Sequence, residues 1–349
     1  MGVARTVSTT ASAVLLISIW ILGLLEGCTR QEEPGSFSFV AVGDTAYVVP
    51  QDYPAFDALI EAINQARPRF SIHIGDTKGP GSCDDDRQQS ILGFFRKFEQ
   101  PLIYTPGDNE WADCWLPQFG AEDPLERLAA VRRIFFSNAE SLGQNPMTLE
   151  RQSDVSDHEQ MVENARWAVG NVLFATLHEV GAANSERAQD VAAVAEFRNR
   201  RQANLEWIED TFAVAIEEGF SGIVFALHAE IFEPPFLDTA AGIEAFGSVV
   251  NAFREGARNY RGQVLLVQGD THVFLIDRPL SGTVDPREYL RRARGPGSPE
   301  IEYQYDYGNF TRLTVFGWPD MRAVKITVEP DTPWLFSFAP LYPDPIQTN

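Results

Sequence analysis

Residues 104–114 read YTPGDNEWADC, a stretch in which a short apolar run ends in a Gly-Asp pair and closely spaced polar residues follow. An apolar run followed by a Gly-Asp pair occurs three more times in the chain. These runs are Phe37 to Val42 before Gly43-Asp44, Phe70 to Ile74 before Gly75-Asp76, and Val264 to Val267 with Gln268 before Gly269-Asp270. A short run of Val, Ile, Leu and Phe bounded by Gly is typical of a strand buried on both faces. The four stretches therefore predict four buried strands.

Helical patterns separate the first three of these strands. Residues 52–67 and 84–99 carry apolar side chains at helical spacing, and a proline follows each stretch. Strands that alternate with helices predict crossover units and a parallel sheet, in which ligands bind beyond the carboxyl ends of the strands. Four Gly-Asp pairs would gather their carboxylates at that edge. Because crowded carboxylates repel one another unless cations or protons neutralise them, the pattern predicts a metal cluster.

The chain after residue 120 continues with helices and strands and then changes character. The predicted elements are a helix from Pro124, an irregular region at 137–163, a hairpin at 167–180, a long helix at 185–218, a strand at 222–227, a helix at 243–257 and a loop at 280–304. Strands at 310–316, 323–328 and 335–338 follow without intervening helices. This succession indicates an antiparallel or mixed second sheet.

The composition bounds the class of protein. A chain of 349 residues, 44% hydrophobic and 22% charged, is long enough for a sizeable core. Its net charge of −21 argues against binding of a nucleic-acid backbone through basic patches. No segment of the sequence marks a surface for a protein partner.

The first 36 residues are predicted to lie outside the fold. Arg5 precedes an apolar run over residues 11–25. That run is shorter than the ~20 residues of a membrane-spanning helix and is typical of an export signal. It ends in Leu25-Glu26-Gly27-Cys28, which is similar to a bacterial lipoprotein box, where Cys28 would be lipidated after cleavage. We expect a signal peptide at 1–28, a tether at 29–36, one domain at 37–349 and a periplasmic location, with a lipid at Cys28 as the only membrane contact.

Export leaves Cys83 and Cys114 as a pair in an oxidising compartment. Both residues lie a few positions beyond Gly-Asp strand ends, so we expect a disulfide across two loops of the site. A bridge over a loop of this length stabilises by roughly 3–4 kcal/mol in the chain-entropy model. Two free thiols or a two-cysteine metal site are the alternatives, although no nearby Cys or His completes a zinc motif.

The order of these residues resembles that of the calcineurin-like metallophosphoesterase superfamily. Its members carry an Asp motif, a Gly-Asp motif, a Gly-Asn-His-Asp/Glu motif, a lone His and a Gly-His-x-His motif. Within residues 37–280 the chain has, in that order, Gly43-Asp44-Thr45-Ala46, Gly75-Asp76, Gly107-Asp108-Asn109-Glu110, His228 and Gly269-Asp270-Thr271-His272. The resemblance implies an α/β/β/α sandwich, with two mixed sheets flanked by helices and a metal site on the strand-end loops.

The resemblance also implies two divalent metal ions. The ligands would be Asp76 for both ions, Asp44 and His272 for one ion, and Asp108, His228 and Asp270 for the other. A set so rich in oxygen favours Mn²⁺ or Mg²⁺, with Zn²⁺, Fe or Ca²⁺ as further options.

Four positions depart from the family pattern. Ala46 stands where many members have a metal-binding His, Asp108 replaces the usual Asn, and Asp270 replaces the first His of the last motif. Asn109 replaces the His that assists the leaving group. The predicted catalytic residues are Asn109, as a hydrogen-bond donor to a phosphoryl oxygen, and His178, as a proton donor.

The leading hypothesis is an exported hydrolase that cleaves a phosphate mono- or diester by attack of a metal-bound hydroxide. The alternative is a non-catalytic binding module of the cell envelope that keeps the fold and one divalent cation as a structural or binding element. Ala46 and Asn109 favour that alternative, because one metal ligand and the leaving-group proton donor are missing. A third hypothesis is an envelope lipoprotein whose main task is to hold a partner.

Overall fold

The computed structural model describes residues 1–2, 35–187, 189–232, 240–282, 305–306 and 308–343. Nearly all of the predicted signal peptide and tether, and the predicted loop from residue 283 onward, lie outside the described residues. The division into signal peptide, tether and domain stays a prediction. Within the described part of the chain, no helix combines the length and the apolar character needed to cross a membrane.

Strands and helices alternate along the first two thirds of the chain. The first elements are β1 (Phe37–Val42), α1 (Tyr53–Ala66), β2 (Ser71–His73), α2 (Asp85–Phe95), β3 (Leu102–Tyr104), a 3-10 turn (Pro117–Phe119), α3 (Pro124–Phe135), β4 (Glu150–Arg151) and α4 (Gln152–Val155). The next are β5 (Ala165–Val169), β6 (Val172–Thr176), the short turn α5 (Gly181–Asn184), α6 (Val191–Glu217), β7 (Gly222–Ala226), α7 (Ala240–Asn259) and β8 (Gln263–Gln268). The last are β9 (Leu275–Asp277), β10 (Ser281–Gly282), β11 (Tyr305–Asp306), β12 (Phe310–Thr314), β13 (Ala323–Val328) and β14 (Phe336–Leu341).

The strands form two large mixed sheets. The five-stranded sheet has the order β14-β13-β1-β2-β3, with β1, β2 and β3 parallel and β13 antiparallel to both of its neighbours. The seven-stranded sheet has the order β4-β5-β6-β7-β8-β12-β9, with β6, β7, β8 and β12 parallel. β10 and β11 pair separately as a two-stranded ribbon.

Three apolar layers hold the sheets and helices together. Phe39 of β1 faces the layer between the two sheets, where its ring stacks on Phe70 at 5.3 Å and meets Phe174 edge-on at 5.3 Å. Val40, the next residue, faces α1, α2 and α3 on the other side of the sheet, because successive side chains of a strand point to opposite faces. A third layer joins the seven-stranded sheet to α6 and α7. The predicted α/β/β/α sandwich is therefore confirmed.

The arrangement of strands differs from the sequence prediction in two ways. The four Gly-Asp strands do not share one parallel sheet, because β1, β2 and β3 belong to one sheet and β8 to the other. The three C-terminal strands do not form a sheet of their own. β12 inserts beside β8, whereas β13 and β14 extend the first sheet. Long-range pairing decides these partners, and local sequence patterns do not contain that information.

Helix boundaries also differ from the predicted ones. The long helix begins at Val191, six residues later than predicted, because Asp190 caps it through hydrogen bonds to two backbone N–H groups. The residues before it, Ala182 to Ser185, all have left-handed backbone angles and cannot belong to a right-handed helix. α2 ends at Phe95, four residues earlier than predicted. Cys83 and Cys114 form the predicted disulfide, which excludes free thiols and a two-cysteine metal site.

Candidate metal centre

The six predicted ligand residues lie together at the ends of β1, β2, β3, β7 and β8. They form two sets that share Asp76: Asp44, Asp76 and His272 in one set, and Asp76, Asp108 and His228 in the other. Within each set the donor atoms lie within 4.8 Å of one another. Asp270 stands beside the second set, with its Oδ1 atom 4.0 Å from His228 Nε2. The structure therefore brings all six residues into one site, and their role as ligands stays a prediction.

The backbone bends sharply at the ligand residues themselves. Asp44, Asp76, Asp270 and His272 have φ angles of 52°, 51°, 71° and 60°. A left-handed conformation at a non-glycine residue costs on the order of 1–3 kcal/mol and occurs preferentially at functional sites. Among the glycines of the four Gly-Asp pairs only Gly75 has a positive φ, whereas three of the four aspartates have one.

Two glycines are needed because carboxylate oxygens lie close to the position that a Cβ atom would take. A Cβ atom on Gly107 would lie 2.2 Å from Asp76 Oδ1, and a Cβ atom on Gly181 would lie 2.6 Å from Asp108 Oδ2 and 2.9 Å from Asp270 Oδ1. Any side chain at either position would push the carboxylates out of place. Gly181, on the loop after β6, is a site residue that the Gly-Asp pattern did not reveal.

Buried hydrogen bonds fix the loops that carry these carboxylates. Glu110 accepts from the backbone N–H groups of Asp76 at 3.1 Å, Thr77 at 2.5 Å and Gly107 at 2.7 Å. One side chain thus holds the loops after β2 and β3 together. Sequence reasoning gave Glu110 no role, although its place at the end of the Gly107-Asp108-Asn109-Glu110 motif was a usable signal.

The two histidines are oriented in the same way. His228 Nδ1 donates to the carbonyl of Ile74 at 2.9 Å, and its Nε2 lies 3.1 Å from Asp108 Oδ1. His272 Nδ1 donates to the carbonyl of Trp318 at 2.7 Å, and its Nε2 lies 3.6 Å from Asp44 Oδ1. A carbonyl that accepts from Nδ1 fixes the tautomer and directs Nε2 toward the carboxylates, as at histidine–metal sites in general.

The electrostatics of the site favour bound positive charge. Burial raises the pKa of Asp76 well above its ordinary value, against the effect of His228, and the neighbouring carboxylates add to the increase. Burial also raises the pKa of Asp44 to about 7 and that of Asp270 to about 6. Burial alone would lower the pKa of His228, but Asp76 and Asp108 raise it well above the ordinary value. Protons or metal cations can supply the required charge.

One buried oxygen atom lacks a partner that a metal cation could supply. Asp44 Oδ2 is buried and, within the described part of the chain, has no hydrogen-bond partner. An unsatisfied buried carboxylate oxygen is costly, and a cation beside it would remove that cost. Oxygen and imidazole donors in two sets with a shared carboxylate can hold two divalent cations, so the residues present fit the predicted metals.

The two residues predicted to be catalytic are hydrogen-bonded to other groups of the protein. Asn109 uses both hydrogens of its side-chain amide, one on Asp76 Oδ2 and one on the carbonyl of Lys78, each at 2.8 Å. His178 is fully buried, with Nδ1 at 2.6 Å from Glu163 Oε1 and Nε2 at 3.1 Å from Trp111 Nε1. Neither residue keeps a free N–H for a substrate. The assignments of Asn109 to a phosphoryl oxygen and of His178 to the leaving group stay predictions, and the partners that these groups have in the structure lie far along the chain, where the sequence does not show them.

The fold and the site together define an α/β/β/α protein with a candidate dinuclear metal centre. No protein-family model matches the chain, and no curated protein matches its sequence.

Similar solved structures include a dimetal phosphatase from Danio rerio, 9% identical, with a TM-score of 0.47 over 88% of this chain and 99% of that one. A purple acid phosphatase from yellow lupin seeds is 12% identical, with a TM-score of 0.46 over 85% of this chain and 50% of that one. GAP50, the anchor in the inner membrane complex of Plasmodium, is 7% identical, with a TM-score of 0.45 over 89% of this chain and 90% of that one. These similarities concern the fold alone.

Proposed function

We propose that the protein is a metallophosphoesterase that uses two divalent cations to hydrolyse a phosphate mono- or diester. The observation that carries this proposal is the pair of ligand sets that share the carboxylate of Asp76. A shared carboxylate between two cations is the arrangement of two-metal hydrolytic sites, where the ions generate a nucleophile at neutral pH and neutralise charge on the phosphoryl group.

The side chains of the site would fix the positions of the ions relative to the substrate. Asp76 is kept in place by Asn109, whose backbone N–H and side-chain amide contact its two carboxylate oxygens at 3.1 and 2.8 Å. The donors are oxygen and imidazole nitrogen, which favours Mn²⁺ or Mg²⁺. An anionic ester would approach the site despite the net charge of −21, because bound cations dominate the local field.

The leaving group determines which esters would react. Because Asn109 and His178 are fully engaged with protein partners, we propose that water protonates the leaving oxygen. Acidic alcohols such as phenols leave without strong protonation of their oxygen. Their esters, such as aryl phosphates, would therefore be hydrolysed fastest.

The same observation favours a second candidate function. A site that holds cations, and in which Asn109 and His178 are engaged with protein partners, could bind a phosphate ester without turnover, as a non-catalytic module. Both functions need the metal centre and differ only in product release.

We also propose that the protein is exported and is anchored by a lipid at Cys28. The pattern of residues 1–28 suggests this location, and the Cys83–Cys114 disulfide supports an oxidising compartment. Protease accessibility in intact cells, compared between the wild type and Cys28→Ser, tests both the location and the anchor. Full protection from an external protease after outer-membrane permeabilisation would contradict export.

The first experiment combines metal content with hydrolysis. The full chain is incubated with Mn²⁺, desalted, analysed for bound metal, and assayed on p-nitrophenyl phosphate and bis(p-nitrophenyl) phosphate. We expect about two ions per chain, and we expect Asp76→Asn to lose metal and to reduce hydrolysis by at least about a hundredfold, as for loss of a main electrostatic group.

The matched control is Asp84→Asn. Asp84 caps α2 away from the metal ligands, and Asn is an equally good cap, so this variant should keep both metal and activity. Equal hydrolysis by the wild type and Asp76→Asn would refute the esterase. Metal-dependent binding of the ester without product release would favour the non-catalytic module.

A further inference from the structure

We propose that Arg200 is a positioning residue for the second ligand set, formed by Asp76, Asp108 and His228. It acts by fixing a left-handed turn of the backbone behind these residues. The inference rests on the proposed metal centre, but it concerns α6 and the loop after β6, which carry no predicted ligand.

Four consecutive residues after Gly181 have left-handed backbone angles. Their φ angles are 51° at Ala182, 53° at Ala183, 56° at Asn184 and 59° at Ser185. In this conformation the Cβ atom of an L-residue crowds the following carbonyl oxygen, so glycine and, less often, asparagine are the residues that adopt it readily. Ala182 is exposed, so its burial does not offset the crowding. Contacts from other parts of the chain must therefore hold the turn.

The guanidinium of Arg200 supplies these contacts. Arg200 is 1% exposed and donates to the carbonyl of His178 at 3.1 Å and to the carbonyl of Asn184 at 2.8 Å. It also donates to the side-chain oxygen of Asn184. Its other two bonds go to Glu196, from Nε at 2.7 Å and from Nη2 at 3.1 Å. Arginine has five N–H donors, and these five bonds use all of them. Arg200 thus joins the two ends of the segment 178–184 and keeps no donor for a ligand.

The same segment contacts three residues of the metal centre. Gly181 lies at its middle, where a Cβ atom would stand 2.6 Å from Asp108 Oδ2 and 2.9 Å from Asp270 Oδ1. The carbonyl of Glu179 accepts from the backbone N–H of His228 at 3.2 Å. Each of these contacts falls on the second set or on Asp270 beside it. A shift of the turn would therefore change the spacing of the second set.

A purely structural role for Arg200 is the competing explanation, because loss of a buried ion pair destabilises a fold. The two roles differ in the affinity for the ion of the second set, here called the second ion. Mn²⁺ binding to the full chain is measured by titration calorimetry, at a temperature where circular dichroism shows the chain to be folded. The measurements are repeated with His272→Ala, which removes a donor of the first set, so that the second ion is observed alone.

Arg200→Lys keeps the charge but not the planar fork that makes five bonds at once. We expect this variant to bind the second ion at least about tenfold more weakly, as for other residues that orient metal ligands. Glycine adopts the left-handed conformation readily. Adding Ala182→Gly and Ala183→Gly to Arg200→Lys should therefore restore most of the affinity, which a purely structural role would not allow.

Ala182→Val tests the turn with Arg200 in place. A β-branched residue is a rare outlier in the left-handed region, so this variant should also weaken the second ion. Because Ala182 is exposed, the larger side chain has room at the surface. If Arg200→Lys does not fold, Ala182→Val decides between the two roles.

The matched control is Arg166→Lys. Like Arg200, Arg166 pairs with carboxylates and contacts an indole: its side chain is 9% exposed, and its guanidinium lies 4.3 Å from the centre of the Trp207 ring. It stands on β5, which carries no predicted ligand. This variant should lose stability and keep both Mn²⁺ affinities.

Three results would overturn the inference. They are wild-type affinity for the second ion in Arg200→Lys or in Ala182→Val, an equal loss in Arg166→Lys, and no recovery with the two glycines. Hydrolysis does not enter these measurements, so a chain that binds two ions without product release would refute the esterase and leave the inference standing. A wild type that binds no Mn²⁺ would refute the metal centre, and the inference with it.

Discussion

The two halves of the candidate metal centre place similar donor groups in different surroundings. The inner half, defined as Asp108, His228 and Asp270, is built around a histidine with no solvent exposure. The outer half, defined as Asp44 and His272, is built around a histidine side chain that is 25% exposed. Water screens charges in the outer half and much less in the inner half.

The supports behind the two halves differ as well. Behind the inner half, Trp111 donates to His178, and His178 donates to Glu163, which also pairs with Arg132 at 2.7 Å. The outer half is supported by the stacked rings of Tyr47 and Trp318, both of which are half-buried. The difference indicates that two similar donor sets need not bind a cation with equal affinity. We expect a tightly held inner ion and a readily exchanged outer ion.

The largest expected effect separates the halves directly. His228→Ala should abolish binding of the inner ion and weaken the outer one, because it removes the imidazole donor that lies 3.1 Å from Asp108 Oδ1 and 3.4 Å from Oδ1 of the shared Asp76. His272→Ala should remove only the outer ion. Elemental analysis after desalting, with Mn²⁺ titration calorimetry, measures both. Loss of both ions in His272→Ala, with one ion retained in His228→Ala, would reverse the comparison.

A second effect tests the support of the inner half. Burial alone would raise the pKa of Glu163, but Arg132 and His178 hold it well below its ordinary value. A depressed pKa adds stability above the unfolded value near 4.5, and that stability is lost as the pH falls toward the folded value. Glu163→Gln should therefore cost about 3–5 kcal/mol at pH 7, as for breaking a buried ion pair. The cost should shrink below about pH 4.5.

Urea denaturation at several pH values measures this effect. The matched control is Glu206→Gln, which removes a surface pair with His158 and should cost less than about 1 kcal/mol. A cost of Glu163→Gln that did not vary with pH would exclude the ionised carboxylate as its source.

The smallest expected effect concerns the disulfide beside the inner half. Cys83 Sγ lies 3.6 Å from the carbonyl of Asn109, the residue that holds Asp76. Replacing both cysteines by serine should lower the unfolding free energy by roughly 3 kcal/mol. It should leave the Mn²⁺ affinities nearly unchanged, since Glu110 still joins the two loops. Thermal denaturation and calorimetry measure the two quantities, and a large loss of inner-ion affinity would show that the loops need the bridge.

Local patterns predicted the strands of the site and the six residues that converge there. Each Gly-Asp pair at the end of an apolar run is a signal within a few residues, and the order of the motifs adds the two histidines. The hydrogen-bond partners of Asn109, His178 and Tyr47 could not be predicted in this way. They lie far along the chain, such as Trp111 for His178 and His272 for Tyr47.

Long-range pairing also limited the prediction of the sheets. Patterns of apolar residues located β12, β13 and β14 approximately, but they did not reveal that β12 joins one sheet while β13 and β14 join the other. A single residue also decided the start of the long helix. Asp190 is a suitable cap, and the left-handed turn before it cannot be recognised from Ala182 and Ala183, which favour right-handed helix.

The pairing of β1 with β13 has a consequence for how the protein is made. Phe37 is in register with Val328, so β1, the first strand of the described residues, completes its pairing only after almost the whole chain has been synthesised. Until then one edge of β1 exposes unpaired backbone groups, and contacts of such long sequence separation form slowly. The five-stranded sheet is therefore expected to be completed only at the end of synthesis, after β13 has left the ribosome.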